Sequence, residues 1–218
     1  MRKKSDPRGL ACLFGQSRSM YSQKFRFKYT KRMRSYVVFI RGINVSGKNK
    51  VTMADLRGHL EELGFSDIST YIASGNIILK SDKTSQAIKT GIERMLPMKF
   101  KLDSELIKIL VLSPAQLRAV IDHRPAGFGD EPDKYHSDVI FLIDIDPATA
   151  MSVFSPLEGV DKVQSGTGVI YSQRLSSRRT SSRLNKIIGT PAYQSMTTRN
   201  WSTTTKLLEI LEKTNTTG

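Results

Sequence analysis

Residues 36–79 of the 218-residue chain read YVVFIRGINVSGKNKVTMADLRGHLEELGFSDISTYIASGNIIL. The opening run at 36–40 consists of β-branched and aromatic residues, which is typical of a buried strand. A glycine-containing loop follows, and Thr52 is placed to cap a helix whose leucine stripe ends before Gly64. The first two predicted elements are therefore a strand and an amphipathic helix.

The first half of the chain continues this alternation. Segments 68–73 and 77–79 predict two strands joined by a turn at 74–76, where a glycine allows positive φ. Segment 85–96 predicts a second helix that the next residue, a proline, ends, and 107–112 predicts a fourth strand. The resulting β-α-β-β-α-β order is the split βαβ of ferredoxin-like folds.

A second pass of the same kind follows the first. It has a strand at 139–143, two strands joined by a Ser-Gly turn at 165–168, a helix at 178–188 and a last helix at 203–212. We therefore predict an α+β fold of two ferredoxin-like (β-α-β-β-α-β) halves with antiparallel or mixed sheets, plus a C-terminal helix. The predicted boundaries are 33–123 for the first half, 124–136 for a polar linker and 137–218 for the second half.

The composition excludes several classes of protein. Hydrophobic residues make up 39% and charged residues 25%, which is ordinary for a globular chain and unlike a disordered one. The single cysteine, Cys12, rules out an intrachain disulfide and leaves no thiol in the rest of the chain. The apolar runs are far shorter than the roughly 20 residues of a membrane helix. We expect a soluble, cytoplasmic protein with no cofactor, metal or membrane partner.

The net charge of +14 is unusual, and it is unevenly distributed. Residues 1–32 contain ten basic residues and one acid, and they show no helical or strand period. This basic tail fits a transit peptide, a nucleic-acid-binding arm, or sequence upstream of a true start at Met33. The first and last interpretations are favoured, because a complete domain pattern begins just after Met33. Import into an organelle is therefore an alternative to a cytoplasmic location.

A second basic region lies in the C-terminal half. The 47 residues between Asp161 and Glu209 contain eight basic residues and no acid. On the predicted helix at 178–188, Arg179, Arg183 and Lys186 would share one face. Such a face normally mixes charges of both signs, so its purely basic character favours contact with phosphate groups.

One motif invites a nucleotide-binding interpretation. Residues 42–48 fit G-x-x-x-x-G-K, the first seven positions of a phosphate-binding P-loop. Asn49 stands where that loop needs Ser or Thr for magnesium, and the next helix begins too late to face a phosphate. The motif therefore favours a loop that offers Arg41 and Lys48 to an anion over a true nucleoside triphosphatase.

Three motifs together carry a family resemblance. The run at 36–51, Ser74-Gly75-Asn76 and Arg199-Asn200-Trp201 resemble domain-of-unknown-function family 1697, over about residues 33–213. The family pattern usually has Gly where Ser46 stands, and Asn or another polar residue where Ser202 stands. The resemblance implies a two-part α+β fold with ferredoxin-like halves. It implies no substrate and no catalytic residue.

These observations lead to one main hypothesis, a protein that binds a phosphate-bearing or other anionic ligand in a cleft between two α+β halves. The candidate ligand-binding residues are Arg41, Asn44, Lys48, Ser74, Asn76, Arg199 and Asn200. Arg179, Arg183 and Lys186 would add a basic surface.

Three alternatives remain. The first is an enzyme on a small anionic metabolite, with Arg41 and Arg199 as an anion clamp and Asp138 or Asp144 as base. The second is RNA or DNA binding through the acid-free segment 162–208. The third is that the motif residues are only turns and caps of the fold. The expected partner is an anionic small molecule or a nucleic acid.

Overall fold

The computed structural model describes residues 32–73, 75–103 and 107–216. Their strands are β1 Arg34–Arg41, β2 Ser66–Thr70, β3 Asn76–Ser81, β4 Lys108–Leu112, β5 Tyr135–Leu142, β6 Asp161–Gly166, β7 Val169–Leu175 and β8 Met196–Asn200. Their helices are α1 Met53–Glu62, α2 Ser85–Lys99, α3 Pro114–Asp122, α4 Pro147–Met151 and α5 Trp201–Thr216. The compact unit that contains all of them is Arg32–Gly218.

The first sheet has four strands in the order β2-β3-β1-β4, and every neighbouring pair is antiparallel. β1 lies inside this sheet and is buried on both faces, which explains why its sequence is continuously apolar instead of alternating. Val38 and Ile40 pack in the core that includes residues of α1 and α2. Val37 and Phe39, on the opposite face, pack in the core shared with the second half.

The second sheet repeats this topology, with the order β6-β7-β5-β8 and only antiparallel neighbours. The inner faces of the two sheets meet at Phe39 and Phe141, whose ring centroids lie 4.7 Å apart. α3 and α5 each follow the last strand of a half and contribute apolar residues to this shared core. The α+β fold, predicted with antiparallel or mixed sheets and a C-terminal helix, is confirmed, and both sheets have four strands with only antiparallel neighbours.

The predicted helix at 178–188 is wrong. The chain instead forms 3-10 turns at Ser176–Ser181, Leu184–Ile187 and Ala192–Ser195, with non-helical angles at Arg178 (φ −118°, ψ 27°). Serines in this stretch offer competing local hydrogen bonds, as when the Ser182 Oγ accepts from the Leu184 N–H. Closely spaced arginines without acidic partners also weaken an α-helix.

Proline does not end the second helix as expected. α2 continues through Pro97 to Lys99, and the Phe100 N–H closes its last turn on the Leu96 carbonyl at 3.0 Å. A proline within the last turn removes one intrahelical hydrogen bond, and here the apolar face holds the turn in place. Ile92 and Leu96, both almost fully buried, belong to that face.

Candidate functional site

Two of the polar motif residues, Asn76 and Arg199, meet where β8 of the second half contacts the first half. Arg199 is 9% exposed and its guanidinium lies 4.8 Å over the ring of Phe39. Its Nε donates to the Asn76 Oδ1, and its Nη1 donates to the Thr197 Oγ1 at 2.9 Å and the Thr198 carbonyl at 2.7 Å. Burial lowers the pKa of the Arg199 guanidinium to about 10. Arg199 and Asn76 thus form a buried polar lock between the halves.

Asn76 is held in turn by the hairpin before it. It is fully buried, and its Nδ2 donates to the Tyr71 carbonyl at 3.0 Å. Gly75 precedes it with φ +74°, and a Cβ there would lie 2.5 Å from the Ile40 carbonyl oxygen. Only glycine fits this close approach of two backbones. Ser74, a predicted ligand residue, lies outside the described residues.

Arg41 links the halves at a second point, one residue beyond Ile40. Its Nε donates to the Met196 carbonyl at 2.8 Å and its Nη2 to the Tyr193 carbonyl at 3.3 Å. The guanidinium also lies 5.4 Å from the centroid of the Tyr193 ring. Beside it, the Lys108 Nζ donates to the Ser195 Oγ at 2.8 Å. The two arginines of the predicted anion clamp therefore both bind protein groups at the junction.

The glycine-containing loop after β1 folds back on itself. The side chain of Asn44 donates to the Val51 and Ala73 carbonyls at 2.8 and 3.1 Å and accepts from the Val51 N–H at 2.9 Å. Val45 and Lys48 form an isolated antiparallel bridge at the tip, where Lys48 is exposed. Asn44 therefore shapes the loop, while Lys48 faces solvent.

Asn200 caps the last helix. Its Oδ1 accepts from the Ser202 N–H at 2.9 Å, which is the usual bond of an N-cap asparagine. The next residue, Trp201, packs edge-on against Phe128, with ring centroids 5.3 Å apart. Phe128, in the predicted linker, is itself only 3% exposed. Asn200 and Trp201 thus order the start of α5 and its packing.

A different group of cations faces solvent. Arg178, Arg179 and Lys186 are exposed on the 3-10 turns, and Arg183 is exposed between the first turn and the second. Among the residues that the structure describes, no ion pair engages any of these four side chains. The segment is anchored through its backbone, because the Arg183 N–H donates to the Asp161 Oδ2 at 2.8 Å. Asp161 is 7% exposed, so its charge is turned inward.

An aromatic side chain lies at the start of this segment. Tyr135 is half-buried at the beginning of β5, and the Nζ atoms of Lys134 and Lys162 lie 5.1 and 4.9 Å from its ring centroid. Tyr135 pairs with Leu175 across the sheet, and the Ser176 N–H donates to the Lys134 carbonyl at 2.9 Å. These contacts place the tyrosine beside the first exposed turn.

The two candidate bases have charged partners of their own. Asp144 is exposed and forms an ion pair with Lys89 at 2.8 Å. Asp138, on β5, is mostly buried and lies 3.2 Å from the His136 Nε2. Burial raises the pKa of the Asp138 carboxyl, although His136 and Arg174 oppose this. Across residues 32–73, 75–103 and 107–216, no group of three or more His, Cys, Asp or Glu side chains is placed to hold a metal.

A family model now accounts for most of the chain. The model for proteins of unknown function called DUF1697 matches residues 33–171. The chain belongs to this family. The match begins just before β1 and ends within β7, so Arg199, Asn200 and Trp201 lie beyond it. The described helices of this DUF1697 protein include none that is long and apolar enough to cross a membrane.

A solved structure extends the similarity to most of the DUF1697 chain. It is that of a conserved bacterial protein from Streptococcus pneumoniae, with a TM-score of 0.71 and 27% sequence identity. The similarity covers 83% of this chain and 99% of that one. No curated protein is similar enough to match the chain.

The geometry divides the predicted site of this DUF1697 protein into separate parts. Asn76 and Arg199 are in direct contact, and Arg41 joins the halves at a second point through the Met196 carbonyl. Lys48 and the exposed basic turns face solvent. Tyr135 was not among the residues singled out from the sequence, although the adjacent Lys134-Tyr135 pair is visible there. The contact between the Tyr135 ring and Lys162 depends on how the strands are arranged in the sheet.

Proposed function

We propose that this DUF1697 protein binds single-stranded nucleic acid on the outer side of its second half. We call the proposed surface the basic face, and it consists of Tyr135, Lys162, Arg178, Arg179, Arg183 and Lys186. The observation that carries the proposal is the exposure of four cations within residues 178–186, with no ion pair to them among the described residues. Exposed, unpaired cations are the groups that exchange counterions for phosphates.

The arrangement of Tyr135 supports a single strand over a duplex. A base can stack on an accessible aromatic ring only when it is not already stacked in a double helix. Lys134 and Lys162 beside the ring are exposed, so they can turn toward the phosphates of a strand whose base contacts Tyr135. Lys134 also lies 3.3 Å from the Glu131 carboxylate, which makes Lys162 the stronger contributor.

The buried junction supports this proposal in preference to a clamp at Arg41 and Arg199. The Arg199 guanidinium is 9% exposed and bonded to Asn76 and Thr197. A ligand would have to displace those bonds and separate the two sheets to reach it. The exposed cations of the basic face need no such rearrangement.

The test is a fluorescence titration of the full chain with a labelled single-stranded oligonucleotide and with the matching duplex, over a range of salt concentrations. The variant is R178Q/R179Q/R183Q/K186Q. The matched control is K50Q/R57Q/R94Q/K101Q, which removes four exposed positive charges from the first half and so gives the same net charge. Residues 1–31 are the same in both, so their contribution cancels in the comparison.

We expect the basic-face variant to bind the single strand at least about tenfold more weakly, with a salt slope shallower by roughly 1.4 to 2.8, since each phosphate contact contributes about 0.7. The control should stay within about twofold of wild type. Equal weakening by both variants would mean that net charge alone drives binding, and the proposal would then be wrong. It would be equally wrong if the full chain failed to bind at low salt, or if neither variant weakened binding.

Tyr135→Ala separates stacking from charge. Loss of a stacked base is expected to weaken single-strand binding about fivefold or more without changing the salt slope. Tyr135→Phe keeps the ring and should bind like wild type. If Tyr135→Ala and Tyr135→Phe bind single strands equally well, the tyrosine does not stack on a base.

A further inference from the structure

A cavity of about 290 Å³ lies on the other side of the junction from the Arg199 lock. It is enclosed by β4 and α3 of the first half, and by β5, β7 and the turn before β7 in the second half. Its walls are mostly apolar, and they include Leu110, Leu112, Val120, Phe141, Val169 and Tyr171. Exposed Gln116, His123 and Thr167 line its opening.

The matching registers of the two sheets show what this cavity corresponds to. In the first half, Phe39 pairs with Asn76. In the second half, Phe141 pairs with Val169 at the same place in the sheet. The two hairpin glycines also correspond. The N–H of Ile40, which follows Phe39, donates to the Gly75 carbonyl at 2.8 Å, and the N–H of Leu142, which follows Phe141, donates to the Gly168 carbonyl at 3.0 Å.

The same comparison identifies the counterpart of Arg199. Val37 pairs with Leu112 on β4, and Val139 pairs with Arg199 on β8. Leu112 of the first half therefore stands where Arg199 stands in the second. The guanidinium of Arg199 covers the Phe39 ring at one junction. At the other, the shorter Leu112 and the Phe141 ring line the cavity.

We propose that this cavity is a binding site for a small, flat, apolar ring compound that lies against Phe141. The site is separate from the basic face and does not depend on it. Voids larger than a water molecule are few in natural cores, so a cavity of this size at an interface between two halves is a candidate ligand site. Its position corresponds to that of a planar group, the Arg199 guanidinium, at the equivalent junction.

The lining defines the chemical class of the ligand. Val169 replaces the Asn76 that accepts from Arg199, so this cavity lacks the counterpart of that acceptor. The Tyr171 hydroxyl already donates to the Val120 carbonyl at 2.6 Å. An apolar cavity of about 150 Å³ holds one benzene ring, so 290 Å³ admits a bicyclic compound. A polar substituent is expected at the opening near Thr167 and His123.

The experiment uses indole as the probe for the full chain, with titration calorimetry and methyl NMR spectra of Leu110, Leu112 and Val169. Indole has about nine heavy atoms, which corresponds to a Kd between about 10 µM and 1 mM for an apolar site. We expect saturable binding of one molecule and shifts of these methyl signals. Benzamidine, a flat cation with an end group like that of Arg199, should bind at least about tenfold more weakly, since the cavity offers it an apolar wall.

Two alanines of α3 provide a matched pair of variants. Ala119 lines the cavity and Ala115 is exposed, so Ala119→Phe fills the space while Ala115→Phe adds the same side chain outside it. Ala119→Phe should weaken indole binding at least about tenfold, and Ala115→Phe should change it less than about twofold.

Three results would overturn the proposal. They are no saturable binding of indole up to about 10 mM, ten times the weakest expected Kd, equal effects of the two alanine variants, and wild-type methyl shifts that occur away from the three lining residues. The wild-type NMR result keeps the test valid even if Ala119→Phe does not fold.

Discussion

The buried pair of Asn76 and Arg199 is expected to be strongly coupled energetically. The second half supplies the natural substitutions for a test, because Val169 and Leu112 occupy the equivalent positions. Asn76→Val and Arg199→Leu, singly and together, therefore form a double-mutant cycle in which the double variant copies a pairing that the same fold already contains.

The expected magnitudes follow from the burial of the guanidinium. Lowering the Arg199 pKa to about 10 means that the fold opposes the buried charge by about 3 kcal/mol. Hydrogen bonds from Arg199 to Asn76, Thr197 and backbone carbonyls offset this, at about 1.5–3 kcal/mol for each bond to a charged group. The lock is therefore stabilising only while its acceptors are all present.

Each single substitution breaks the lock in a different way. Asn76→Val keeps the buried cation and removes one of its acceptors, so we expect a loss of about 3–5 kcal/mol in the free energy of unfolding. Arg199→Leu removes the cation, the burial penalty and the bonds together, and it leaves the Asn76 amide oxygen without this donor. The expected loss is about 2–4 kcal/mol.

The double variant should lose much less than the sum of the two. With neither the cation nor the amide present, we expect a total loss of about 3–5 kcal/mol, hence a coupling of about 2–4 kcal/mol. Urea unfolding of the full chain, monitored by the fluorescence of its single tryptophan, Trp201, measures the free energy of unfolding of the wild type, the two single variants and the double variant. Losses that add to within about 0.5 kcal/mol would refute a direct energetic coupling of the two residues.

Two further predictions concern residues near the candidate sites. Gly75→Ala should lower the free energy of unfolding by about 2–4 kcal/mol, because its Cβ would lie 2.5 Å from the Ile40 carbonyl oxygen. The control Gly168→Ala, at a glycine with φ +70° and open space around it, should lower it by only about 1 kcal/mol. Equal losses in urea unfolding would contradict the close-approach argument. Asp138→Asn should make the protein more stable than wild type at pH 7 and not at pH 3. Burial raises the folded-state pKa of the Asp138 carboxyl, so the free energy of unfolding of the wild type falls as pH rises through the titration of this group. A pH-independent difference between the unfolding curves of wild type and Asp138→Asn would show that ionisation is not the cause.

Local sequence patterns were sufficient for most of the fold. The continuous apolar run of β1 predicts a buried strand, and the structure buries it on both faces. The Ser-Gly turns predict the hairpins before β3 and β7, since a positive φ at glycine is a local requirement. The alternative that motif residues serve as caps applies to Asn200, whose side-chain oxygen accepts from the Ser202 N–H.

The remaining features depend on contacts that are distant along the chain. Arg199 belongs to a basic segment by its sequence, yet it is buried because the sheet register brings it to Asn76, 123 residues earlier. The exposed arginines of the failed helix show the opposite outcome, because local serine bonds and repulsion override the apparent 3.6-residue period. No local pattern distinguishes the two groups of arginines.

The two junctions explain why the polar motif residues are a poor guide to ligand contact. Asn44, Asn76 and Asn200 each bond to the chain itself, where they form a loop, a lock and a helix cap. Because two halves of the same topology are packed together, each such arrangement has a counterpart position. At the counterpart of the lock, Leu112 and Val169 replace Arg199 and Asn76, and the structure has a cavity there instead of a hydrogen-bonded cation. Ligand contact is therefore better sought in what differs between the halves, the cavity and the exposed basic turns, than in the motif that joins them.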